Sequence, residues 1–168
     1  MLHETFSIRK LDELHQKHAF VCDVTMLDDY IQKYAAQDSK RHVAMTYILN
    51  DELKNKMAGY YTLSSTSVEL ADLSDLAKKN LPRYPLLPAT LLGRLAIDID
   101  YQRQGLGEIL LMDALKRTSE VSQKVASFAV IVEAIDVAAA NFYQKYGFVF
   151  LTSNKLYLPM KLIDKVFV

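Results

Sequence analysis

A strongly apolar strand that runs directly into a glycine loop and then into a helix is the feature that most constrains this chain. Residues 90–99 read as one strand, Thr90–Ile99, interrupted only by Gly93 and Arg94. Tyr101-Gln102-Arg103-Gln104-Gly105-Leu106-Gly107 follows, and Gly107–Arg117 then forms the clearest helix, with Ile109, Leu110, Met112 and Leu115 supplying apolar bulk. A buried strand feeding a tight turn and a helix turns backbone N–H groups and the positive end of the helix dipole outward. That arrangement suits phosphate oxygens. A Walker loop is excluded because Glu108 stands where Lys would be required, and a dinucleotide fingerprint because Leu110 replaces the third small residue. What remains is Gln-x-x-Gly-x-Gly, or an ordinary glycine-rich strand–helix turn.

The rest of the chain fits a single domain of mixed α/β class spanning residues 1–168. The sequence predicts strands at Phe6–Ile8, Ala44–Leu49, Met57–Leu70, Phe128–Val132 and Tyr157–Leu162. Helices are expected from about Asp12, from a capping box at Thr25–Asp28, near Asp72–Asn80, and from Asp136 to Tyr146, where Gly147 would stop the last. In the second of these, Leu27, Tyr30, Ile31 and Tyr34 recur at one-face spacing. The proline-rich Leu81–Pro88 reads as an ordered, extended loop.

Twenty basic and twenty acidic residues cancel, so any polyanion site must be a local patch. One cysteine, Cys22, excludes an internal disulfide. The four histidines lack metal-ligand spacing, and no metal is expected. Without a signal pattern or a long apolar run, the expectation is a soluble cytoplasmic protein away from membranes.

A second motif gives the glycine loop a meaning. Ala139-Ala140-Asn141-Phe142-Tyr143-Gln144-Lys145-Tyr146-Gly147-Phe148 resembles the Ala-x-x-Phe-Tyr-x-x-x-Gly-Phe signature of the GNAT N-acetyltransferase superfamily. Gln102-x-x-Gly105-x-Gly107 resembles that superfamily's acetyl-coenzyme A pyrophosphate loop. On pattern alone Tyr143 would be a core tyrosine; beside the loop it becomes a candidate catalyst. The similarity narrows further. Phe20-x-Cys22-Asp23, Leu27-Asp28-Asp29-Tyr30, Ala36-Gln37-Asp38 with Arg41, Gly59-Tyr60-Tyr61-Thr62-Leu63-Ser64 and Leu81-Pro82-Arg83-Tyr84-Pro85 resemble the acetyltransferase toxins of bacterial toxin–antitoxin pairs.

This resemblance implies a mostly antiparallel twisted sheet flanked by helices, with a V-shaped splay between central strands. It also implies transfer of an acetyl group from acetyl-coenzyme A to the α-amine of aminoacyl-tRNA. Implied cofactor contacts are Leu95, Ala96 and Ile97 on the strand, Gln102, Arg103, Gln104, Gly105, Leu106, Gly107 and Glu108 at the loop, and Asn141. Tyr143 would be the general acid. Substrate cations would be Lys40, Arg41, Arg83 and Arg94, set against the plain reading of each as a solvated charge. The implied partners are charged tRNA and a ribbon-helix-helix antitoxin, with a homodimer as a further possibility. Two other readings stay open: an acetyltransferase for a small amine or protein N-terminus, and a coenzyme A-binding module without turnover. No carboxylate lies in Leu91–Ile97 to act as general base. An α-amine titrates near pH 8 and needs little help, whereas a lysine amine at about 10.4 would need more.

Overall fold

The computed structural model describes residues 5–168. Strands form at Phe6–Lys10 (β1), Met45–Asp51 (β2), Lys56–Glu69 (β3), Leu86–Ile97 (β4), Ala129–Glu133 (β5), Val149–Thr152 (β6) and Lys155–Pro159 (β7). They make a seven-stranded sheet in the order β1-β2-β3-β4-β5-β7-β6. Helices occupy Thr25–Asp29 (α1), Ala35–Lys40 (α2), Asp75–Lys78 (α3), Leu106–Ser122 (α4), Val137–Lys145 (α5) and Met160–Phe167 (α6). A mixed α/β sheet protein is therefore what the interleaved pattern produces.

The chain divides into two compact units, Met1–Ser64 with Arg94–Ala114 and Ser65–Gly93 with Leu115–Val168. In the first, β1, β2 and the start of β3 pair antiparallel. Phe20, Ile31, Ala35, Ile48, Met57 and Tyr60 are fully buried and form its core with Cys22, Leu27, Tyr30 and Ala96. In the second, Thr90–Leu92 of β4 pairs parallel with Val130–Val132 of β5, and β7 pairs antiparallel with both β5 and β6. Val68, Leu73, Leu87, Ala89, Ala129, Ile131 and Tyr157 fill that core.

Several expectations are corrected. No α-helix begins at Asp12; a turn there, where the Asp12 N–H donates to His15 Nδ1, leads to a short 3-10 helix at Lys17–Ala19. The Thr25–Asp28 capping box does not close. The Cys22 N–H donates to Asp28 Oδ1 at 2.8 Å instead, and the Leu27 and Asp28 N–H groups bond the Val24 carbonyl. The helix near Asp72 is split into a 3-10 turn, Leu70–Asp72, and α3, which Ser74 caps through the Ala77 N–H. The proline loop is partly strand, because β4 begins at Leu86 and carries Pro88. The last strand stops at Pro159, and 160–167 turn into α6, with Met160 and Ile163 buried. Tyr157–Leu162 is apolar enough for a strand, but Ile163 and the more distant apolar residues complete a helical face only when read further.

The largest correction lies between α1 and α2. Tyr30–Tyr34 is a π-helical turn in which the Ala35 N–H bonds the Tyr30 carbonyl, five residues back. Leu27, Tyr30, Ile31 and Ala35 are buried, but Tyr34 is 55% exposed. One extra residue in the turn lets Ala35 take the inward position and rotates Tyr34 out.

Gly59 on β3 shows how closely the first unit is packed. A Cβ there would stand 2.8 Å from the Ala96 carbonyl oxygen and 2.8 Å from Ile97 Cδ1. Both lie on β4 just before the glycine loop. A backbone carbonyl cannot yield as a side-chain tip can, so Gly59→Ala is expected to cost about 1–3 kcal/mol. A thermal melt should show Tm falling by roughly 3–10 °C; an unchanged Tm would mean that the strands can separate at no cost.

Candidate active site

The glycine loop is held by long-range contacts of the first unit. At the end of β4 the Asp98 N–H donates to the Ala58 carbonyl and the Ile99 N–H to the Val21 carbonyl. Asp98 itself is buried and caps the 3-10 turn Ile99–Tyr101. It accepts from the Asp100 N–H at 2.9 Å and the Val21 N–H at 3.1 Å, with Lys56 at 3.7 Å. Lys56 also pairs with Asp100. Asp98 is thus committed to loop structure, which removes the nearest carboxylate as a proton acceptor. Gln102 clamps the next step. Its Nε2 donates to the Ile97 carbonyl at 2.9 Å and to the Cys22 carbonyl at 3.3 Å. Cys22 is buried, and burial pushes its thiol up to about 12, so it is a packing residue with no nucleophilic role.

Arg103 and Gly105 both adopt left-handed backbone, with φ of 64° and 78°. Alternation of this kind curls successive N–H groups toward one point. Gly107 departs from expectation. It is the second residue of α4 and does not adopt positive φ, so Arg103 supplies the second unusual angle. The Ile109 N–H bonds the Gly105 carbonyl, leaving those of Leu106, Gly107 and Glu108 without an intrahelical acceptor. A Cβ built on Gly105 meets nothing within 4 Å. Open space over free N–H groups at the head of a 17-residue helix fits a pyrophosphate. Arg103, Gln104, Gly105 and Glu108 are exposed and Leu106 is buried beneath them. Leu95 and Ile97 are half-buried and Ala96 is buried.

The second unit carries Tyr143. Asp136 caps α5 by accepting the Ala139 N–H at 2.8 Å. The helix ends as its sequence suggests: Gly147 has φ of 96°, its N–H bonds the Gln144 carbonyl, and the Phe148 N–H bonds that of Tyr143. This double bond pattern presses Phe148 against Tyr143, ring centroids 5.4 Å apart. Phe142 packs edge-on to Tyr143 at 5.2 Å. Tyr143 is 7% exposed, and burial raises its pKa above the ordinary phenol range. Tyr143 is therefore a weaker acid than a phenol in water, because the site desolvates the phenolate. Tyr143 stays protonated through neutral pH. Asn141 stands exposed on the same helix.

The substrate cations are not equivalent. Arg94 is half-buried, its guanidinium 3.4 Å from the centre of the Tyr30 ring, whose hydroxyl donates to Asp38 at 2.9 Å. Lys40 and Arg41 are exposed at the end of α2. Arg83 is exposed in the other unit, on a cavity of about 430 Å³ that Lys78 and Glu69 also line. A cavity of about 600 Å³, lined by Leu76, Leu81, Phe128, Tyr157 and Met160 among others, contains none of the expected site residues. Among the described residues no group of three His, Cys, Asp or Glu side chains is placed to hold a metal, and no helix is long and apolar enough to cross a membrane.

Residues 28–157 match the family described as the acetyltransferase (GNAT) domain. The chain belongs to the GNAT acetyltransferase family. It is 28% identical over 156 residues to a tRNA-acetylating toxin of Mycobacterium tuberculosis (strain ATCC 25618 / H37Rv), covering 93% of this chain and 92% of that protein. Among solved structures, a tyrosine-to-phenylalanine mutant of KacT superposes with a TM-score of 0.92 at 29% identity, over 97% of this chain and 99% of KacT. AtaT complexed with acetyl-methionyl-tRNAfMet gives 0.89 at 29% identity, with 97% and 99% covered. AtaT has also been solved as AtaTR bound with acetyl-coenzyme A (TM-score 0.86, 29% identity, 98% and 99% covered). A mutant AtaT bound to the C-terminus of the antitoxin AtaR gives 0.84 at 27% identity, over 98% and 99%. As a GNAT domain, the chain has its glycine loop where sequence reasoning put it. Sequence reasoning missed the left-handed Arg103, the Asp98 cap and the exposed Tyr34. Arg103 had a partial signal in its place two residues before Gly105; the bond of Asp98 to the Val21 N–H and the exposure of Tyr34 had none.

Proposed function

We propose that this GNAT domain, acting as a single functional domain, transfers the acetyl group of acetyl-coenzyme A to the α-amine of aminoacyl-tRNA and so arrests translation. The observation that carries this is end-to-end correspondence with AtaT solved with acetyl-methionyl-tRNAfMet, covering nearly all of both chains. Arg103, Gln104, Gly105, Leu106, Gly107 and Glu108 bind the pyrophosphate, mainly through backbone N–H groups. Gln102 holds that loop to β4. Leu95, Ala96 and Ile97 offer backbone groups to the pantetheine arm, and Asn141 contacts it from α5. Tyr143 donates a hydrogen bond, then its proton, to the departing sulfur. Because burial favours the neutral phenol, Tyr143 still carries its proton at the pH where the amine loses its own.

The absence of a base supports an α-amine. With Asp98 spent on the Val21 and Asp100 N–H groups and on Lys56, this stretch of β4 offers nothing to deprotonate a lysine. An α-amine near pKa 8 needs only solvent. Lys40, Arg41, Arg83 and Arg94 are the residues we assign to tRNA, with Arg94 acting from its stack on Tyr30. The expected inhibitor is a ribbon-helix-helix antitoxin, and the expected location is the cytoplasm.

Expression of the chain alone should slow growth and leave acetylated aminoacyl-tRNA in the cell, with both effects relieved by a cognate antitoxin. Normal growth alongside folded protein that releases coenzyme A in the presence of small amines would favour a small-amine acetyltransferase instead.

A further inference from the structure

Tyr34 occupies an unusual position for a large aromatic residue. Its spacing belongs to the buried face of its helix, yet the π turn at Tyr30–Tyr34 sets it 55% exposed. π turns interrupt α-helices infrequently and are enriched at functional sites. What surrounds Tyr34 is equally specific. The helix continues through α2 to Arg41, whose N–H bonds the Gln37 carbonyl at 3.0 Å. Tyr34, Gln37 and Arg41 therefore follow one another along one face, with Lys33 and Lys40 beside them. All five are exposed. The acidic side chains of this stretch are drawn elsewhere: Asp28 accepts the Cys22 N–H, Asp38 accepts the Tyr30 hydroxyl, and Asp29 pairs with Lys33 at 3.2 Å. An open aromatic face among cations is left on the outside.

We infer that Tyr34 is a stacking platform for an unpaired nucleotide at the single-stranded end of the charged tRNA, with Lys40 and Arg41 holding the adjoining phosphates. Single-stranded RNA is bound in this way, by aromatic faces that take splayed bases and cations that follow the backbone. Charge complementarity selects the occupant: Lys33 is paired with the outward Asp29 and Lys40 lines a cavity with Asp12 and Glu13, so the local positive excess beside Tyr34 comes from Lys40 and Arg41, although the whole chain is neutral. The inference rests on the proposed tRNA substrate and adds to it a subsite on α1–α2.

The test compares Tyr34→Ala, Tyr34→Trp and Arg41→Gln in steady-state acetylation of charged tRNA and in tRNA binding at several salt concentrations. Tyr34→Ala should raise the KM for charged tRNA about 5- to 150-fold, the span of one lost base–aromatic stack. Tyr34→Trp should restore it, with Tm and acetyl-coenzyme A affinity unchanged in both. Arg41→Gln should flatten the dependence of log affinity on log salt by about 0.7, one single-strand phosphate contact, whereas Tyr34→Ala should weaken binding with the slope intact. An unchanged KM in Tyr34→Ala overturns the stacking role. So does a Tyr34→Ala chain that loses only a dimer or antitoxin binding, which would give the face to a protein. A wild-type chain that consumes acetyl-coenzyme A without acetylating charged tRNA overturns the substrate reading itself, and the stack with it.

Discussion

Replacing Tyr143 by phenylalanine is expected to lower acetylation turnover roughly 10²–10⁴-fold, the usual contribution of a positioned general acid. The ring contacts with Phe142 and Phe148 survive the change, since only the hydroxyl is removed. Tm should therefore fall by no more than the loss of one buried hydrogen bond would cause, about 0.5–1.5 kcal/mol. Acetyl-coenzyme A affinity should be preserved. Tyr146→Phe is the control, because Tyr146 also packs against Phe142, ring centroids 5.2 Å apart, but lies one turn nearer the helix end. The pH profile adds a second reading of the same group. Burial raises the folded pKa of Tyr143 above the ordinary phenol value, so its acid form persists beyond pH 10. Turnover should rise as the substrate α-amine loses its proton near pH 8, with no descending limb from Tyr143 below pH 10. Wild-type rates in Tyr143→Phe would return this residue to the core and assign protonation of the sulfur to water.

The second large effect concerns the cofactor loop. Gly107→Val should fold, since residue 107 sits in the first turn of α4 without positive φ. Its branched side chain would stand over the free N–H groups of that turn. Loss of two charge-assisted hydrogen bonds, at about 1.5–3 kcal/mol each, corresponds to at least about a 100-fold loss of acetyl-coenzyme A affinity by calorimetry. Gly105→Ala separates strain from obstruction. Its site is open, but φ of 78° costs a residue with a Cβ about 1–2 kcal/mol. That variant should melt earlier. Native affinity in Gly107→Val would show that the pyrophosphate binds elsewhere.

Both predictions use groups that were legible in the sequence because their signals are local. The strand–loop–helix junction needs only an apolar run, two glycines and a helical pattern. The α5 ending needs only Asp136, Gly147 and Phe148, all within a dozen residues of one another. Backbone sterics and capping act over such distances, so residue types alone specify them. What tertiary structure decided depends on partners far along the chain. Gln102 is a clamp because Cys22, 80 residues away, presents a carbonyl to it. Asp98 is a cap because the Val21 N–H reaches it. Gly59 is costly to replace because β4 passes within contact of it. Arg94 is a stacked cation because Tyr30 lies beneath it. The exposure of Tyr34 belongs here as well. Periodicity assigns it to the core, and only the fit of Tyr30, Ile31 and Ala35 into that core decides which residue the extra position of the π turn displaces outward. Local chemistry thus determined the strand–loop–helix junction and the α5 ending, while packing across the chain decided which side chains stayed exposed.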